Sequence, residues 1–68
     1  NLAAALLEAG RPLQSARQSI ALLRRQPEHE DGWHNLAVSL LILGRTDDAA
    51  AAQQHAHACL AVNGELSA

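Results

Sequence analysis

The chain is predicted to be all-α, with two antiparallel helix-turn-helix hairpins stacked as a short right-handed superhelical solenoid. Three observations predict this. The first is self-similarity: residues 1–11 (NLAAALLEAGR) overlay residues 35–45 (NLAVSLLILGR) at an offset of 34, with seven of eleven positions identical. A period of this length is that of a helix–turn–helix unit stacking on its own copy. The second is punctuation, since Gly10, Pro12, Pro27 and Gly44 divide the chain into four helix-sized segments. The third is composition. Hydrophobic residues make up 49% of the chain, alanine and leucine dominate, and Trp33 is the one aromatic, so the apolar surface is suited to close helix packing.

Each element follows from local cues. Residues 1–9 read as a helix ended by Gly10 at a left-handed cap position. Pro12 suits the first turn of the next helix, where its missing N–H costs nothing. From there Leu13, Ala16, Ile20 and Leu23 recur at i, i+3, i+7 and i+10, an apolar stripe expected to face the core. Pro27 closes the second helix, because the residue before a proline avoids helical angles. Asp31 is the expected cap of a third helix over residues 32–43, stopped by Gly44. Thr46, Asp47 and Asp48 offer a cap and first-turn acids for a fourth helix, which is expected to end near Val62 at Asn63-Gly64.

Length and charge narrow the function classes. A chain of 68 residues buries only about 60% of its unfolded surface, so its stability is marginal without help. Cys59 is the single cysteine, which excludes an internal disulfide and mildly favours a cytoplasmic setting. The basic residues are Arg11, Arg17, Arg24, Arg25 and Arg45, against seven acids, and the net charge of −2 supplies no drive toward nucleic acid or an anionic membrane. The longest apolar-rich stretch, residues 36–43, falls far short of the ~20 residues needed to span a bilayer. An alanine-rich, lysine-free composition accords with a GC-rich bacterial genome.

Trp33-x-x-Leu36-Ala37-x-x-Leu40, then Gly44-Arg45, Ala49 and Ala56, resembles the tetratricopeptide repeat. Leu2-Ala3, Leu6, Gly10-Arg11 and the terminal Pro27 occupy the matching positions of the first unit. The resemblance covers essentially the whole chain. It implies a first repeat over about residues 1–29, truncated at its start, a second over about 30–63, and the start of a third at 64–68. This is the pattern of a piece of a longer array. The first unit lacks the segment that would carry its tryptophan, and Ala61 stands where the pattern has proline. Between Gly10 and Pro27, simple counting puts Ser15 at the family's small position, whereas the apolar stripe favours Ala16.

In this family the first helix of each hairpin lines a concave face that holds a peptide or partner helix. Carried over, that face comprises Asn1, Ala4, Leu7 and Glu8, then Asp31, His34, Asn35, Val38, Leu41 and Ile42. The second set recurs at i, i+3 and i+4 and so shares one helix face. Asn1 and Asn35 stand one period apart, and the resemblance implies an asparagine ladder on a peptide backbone, since a carboxamide both donates and accepts. The family's carboxylate clamp matches only at Asn35.

The expected function is therefore protein–protein interaction through this groove, with no catalytic residue, cofactor or metal. Competing readings are self-association through open repeat ends, as a homodimer or assembly element of a larger protein, and a substrate-docking arm fused to an enzyme. Base reading of RNA by related repeats needs a basic groove, which this one is not. His55 and Cys59 share a helical face, but zinc wants four ligands and no second pair completes the set, so they read as polar residues of the outer face. No phosphate loop, His-Glu-x-x-His motif or nucleophile with an oriented base is present. Arg17, Arg24 and Arg25 read as a solvated face, with an acidic partner as the functional alternative.

Overall fold

The computed structural model describes the backbone of residues 2–67 and the side chains of residues 2–59. Four helices occupy nearly all of it: α1 (Leu2–Glu8), α2 (Pro12–Arg25), α3 (Glu30–Ile42) and α4 (Thr46–Ser67). Among the described residues there is no strand. The helices pack in chain order, α1 on α2, α2 on α3 and α3 on α4, and α1 also reaches α3.

The 34-residue period governs the backbone as well as the sequence. After α1, Arg11 N donates to Leu6 O at 2.8 Å and Gly10 N to Leu7 O at 3.0 Å. After α3, Arg45 N donates to Leu40 O at 2.8 Å and Gly44 N to Leu41 O at 3.1 Å. These are the paired bonds of a Schellman turn, which satisfy carbonyls a helix end leaves open. The turn needs one left-handed residue, and Gly10 (φ 75°) and Gly44 (φ 82°) supply it without a Cβ in the way. The following helices start alike, with Ser15 N donating to Arg11 O at 3.0 Å and Ala49 N to Arg45 O at 2.9 Å.

Helix boundaries differ from the sequence-based expectation at two places. The third helix begins at Glu30 rather than residue 32, and His29 caps it in place of Asp31, its Nδ1 accepting from Gly32 N at 3.0 Å. Asp31 instead lies in the first turn, where a carboxylate favours the helix dipole without capping. The fourth helix does not stop near Val62; it continues through Asn63-Gly64 to Ser67. A glycine inside a helix costs only about 1 kcal/mol relative to alanine, so it ends a helix only where a left-handed turn is also held in place.

The core is made of small and medium side chains. Ala16, Leu23, Leu36, Ala37 and Ala52 form one buried cluster, with Trp33 and Leu40 packed against it. Ala3, Ala49, Ala56 and Cys59 are buried beside it. Close approach has a particular cause at α2–α3: a Cβ on Gly32 would lie 3.0 Å from Leu23 Cδ2 and 3.3 Å from Leu22 Cδ2. Glycine here lets the start of α3 rest against two leucines of α2.

The inward face of α2 is not the predicted one. Ser15, Ala16, Ser19 and Leu23 are buried, while Leu13 and Ile20 are exposed. The question of Ser15 against Ala16 at the small position dissolves, because both are buried. Helix α2 has a neighbour on each side, α1 and α3, and the band it buries is rotated toward Ser15 and Ser19. Ile20 is thereby excluded from the core position the stripe assigned to it.

Candidate partner-binding groove

Serine chemistry ties together the helices on which the predicted groove rests. The Ser15 hydroxyl donates to Ala3 O across 2.8 Å, joining α2 to α1. The Ser39 hydroxyl lies 3.0 Å from Ser15 Oγ and 2.7 Å from Asn35 O, and its one proton serves one acceptor at a time. Three helices thus meet on two fully buried hydroxyls. Buried hydroxyls with partners are tolerated and orient their neighbours, whereas a lone one costs its lost hydration. Ser19 is such a lone group, completely buried with no hydrogen-bond partner for its hydroxyl among the described residues.

On this frame the predicted groove residues divide by exposure. In α1, Ala4 and Leu7 are half-buried and Glu8 is exposed. In α3, Asp31 and His34 are exposed and Val38 is half-buried. Leu41 and Ile42 are 59% and 60% exposed, although α3 has packed neighbours on both sides. Asn35 is only 9% exposed and belongs to the packed interior rather than to an open surface. Asn1 lies outside the described residues.

A second region, where the α2–α3 turn meets α4, is tied more tightly than its sequence suggests. Trp33 is half-buried rather than fully in the core. Its Nε1 donates to Pro27 O at 2.8 Å, and its ring stacks on His55 with centroids 4.4 Å apart at 16°. Cys59 is buried with its thiol 4.0 Å from the same Pro27 carbonyl. This corrects the outer-face reading of the His55/Cys59 pair: Cys59 points inward and His55 covers the indole. Beside the turn lies an open depression of about 550 Å³ lined by residues 26–31. Among the described residues no group of three or more histidines, cysteines or acids could hold a metal ion. No helix among them is long and apolar enough to cross a membrane.

Sequence reasoning missed Ser19, Ser39 and Gly32 as packing residues and passed over Ser15 in favour of Ala16. The available signal was their small size at positions flanking apolar ones. Small residues signify close approach only once the neighbouring helix is known.

Comparison with protein-family models, with curated proteins and with solved structures finds no match to this chain.

Proposed function

We propose that this chain is a tetratricopeptide-like interaction module. In this reading its two hairpins stack antiparallel as a short right-handed solenoid, and a peptide or partner helix docks on the face shared by α1 and α3. The observation that carries the reading is the apolar strip of α3: Val38 half-buried, Leu41 and Ile42 about 60% exposed, on a helix already packed by two others. Burying both exposed side chains against a partner would contribute up to a few kcal/mol, which is the scale of a binding hot spot. With Asn35 buried, the apolar strip rather than an asparagine ladder supplies recognition. The repeated Schellman turns at Gly10 and Gly44 support the repeat reading independently of the groove.

The test is selection of a random peptide library on the intact chain, followed by affinity measurement on Leu41→Ser/Ile42→Ser. Selected peptides should bind the double variant about tenfold or more weakly while its helical circular dichroism is unchanged. Equal binding by a folded double variant would remove the groove from the site.

Self-association is the competing reading, and one observation favours it. Leu2 is 59% exposed, whereas Leu36, its counterpart one period on, is 8% exposed. Sedimentation equilibrium over a wide concentration range separates the two readings. A dimer that unfolds as it dissociates makes assembly the function, and a stable monomer leaves the groove free.

A further inference from the structure

The face of α2 that looks away from the packed interior carries a pattern the fold does not require. Leu13, Arg17, Ile20 and Arg24 stand at spacings of four, three and four, which place them on one stripe of the helix. All four are exposed, with Leu13 at 51% and Ile20 at 41%. One period later the same positions hold Asp47, Ala51, Gln54 and Ala58, also exposed. The repeat therefore closes without a large aliphatic or basic residue at any of them.

Charge makes the stripe selective. Helix α2 holds three arginines and no acid, while all seven acids of the chain lie elsewhere. Among the described residues the one ion pair is Arg45–Asp48, at 2.8 Å, so Arg17 and Arg24 have no carboxylate partner there. Each sits one turn from an apolar side chain, and the 4-3-4 spacing is that of a seam between two helices. An arginine inside such a seam demands a carboxylate opposite it, because a guanidinium shut away from water without one is costly.

We propose that the outward stripe of α2 docks an acidic amphipathic helix of a partner protein, with aliphatic side chains meeting Leu13 and Ile20 and carboxylates meeting Arg17 and Arg24. A second protein fits better than an anionic membrane. Interfacial helices sink a broad apolar face into the lipid, whereas here two aliphatic residues alternate with two cations and ask for discrete partners. The surface is separate from the α1–α3 groove, so its fate does not depend on that site.

The experiment uses the intact chain and two fluorescently labelled synthetic helices. One alternates leucine and glutamate at the 4-3-4 spacing, and its twin has lysine for glutamate. Fluorescence anisotropy should show the glutamate helix binding on the order of tenfold more tightly, with the preference shrinking as salt is raised. Arg17→Glu/Arg24→Glu should reverse the preference, and Leu13→Ala/Ile20→Ala should weaken both helices. These positions are exposed, so folding is checked by unchanged helical circular dichroism. Equal affinities, absence of binding by the glutamate helix, or a preference that survives the charge reversal overturns the proposal. So does co-sedimentation with phosphatidylserine vesicles in the absence of glutamate-helix binding, which would assign the stripe to a membrane.

Discussion

The two helix pairs of this chain, α1–α2 and α3–α4, share a period and a turn but differ in how their second helices are buried. Helices α2 and α4 begin the same way after the same Gly-Arg turn. Yet α2, with α1 on one side and α3 on the other, buries Ser15, Ala16, Ser19 and Leu23 in a broad band. Among the described residues, helix α4 packs on α3 alone and buries Ala49, Ala52, Ala56 and Cys59, at i, i+3, i+7 and i+10. Local chemistry sets how a repeat turns, and the neighbours set which positions of each helix are core. The same rule separates the first helices, since Leu36 lies between two packed helices and is buried while Leu2 is open.

The largest expected effect lies in the helix pair that owns the indole. Trp33→Ala should cost about 3–5 kcal/mol, because it removes the packing on the core cluster, the bond to Pro27 O and the stack on His55 together. Denaturant unfolding reads this directly, and an unchanged midpoint would show that α4 is held without the tryptophan.

Next comes the pair that states the comparison most plainly. Leu36→Ala should cost about 2–4 kcal/mol, as for a buried leucine, and Leu2→Ala no more than about 0.5 kcal/mol. Equal costs would mean that Leu2 is covered in solution, which is the signature self-association predicts. Repeating both measurements across protein concentrations distinguishes burial within one molecule from burial between two.

Smaller, and expected to be equal, are the costs at the two turns. Gly10→Ala and Gly44→Ala should each lose about 1–2 kcal/mol, since both positions are left-handed and a Cβ at either meets no neighbour. A clear difference in their thermal midpoints would break the equivalence of the repeats at the point where it is geometrically closest.

The smallest effect has the opposite sign. Ser19→Ala should leave stability unchanged or raise it by up to about 1 kcal/mol, because it removes a buried hydroxyl that bonds nothing. Ser15→Ala, which breaks the link to Ala3 O and takes an acceptor from Ser39, should cost about 1–2 kcal/mol. If the two serines respond alike, the polar junction of α1, α2 and α3 is not what distinguishes them.

Much of this could be read from the chain alone. The offset of 34, Gly10 and Gly44, and the two prolines announced four helices and both tight turns, because these features act within a few residues. Ala37, Ala49 and Ala56 could be assigned to packing on the strength of the repeat. The proposed groove was legible as a set of positions on one helix face, but not their exposure. Asn35 shares that face by spacing and is nonetheless buried, while Leu41 and Ile42, three and four residues beyond Val38, stay open.

By itself the sequence determined the helical class, the repeat length and the Schellman turns, since backbone propensity and glycine's access to left-handed angles are local properties. Only the tertiary structure decided that His29 caps α3 and that Ser15 and Ser39 meet. It also decided that Ile20 faces outward beside Arg17 and Arg24, and that Cys59 turns inward to the Pro27 carbonyl. Each of these depends on which helices stand on either side. The chain's periodicity names a helix face, and the neighbours choose whether that face becomes interior or surface.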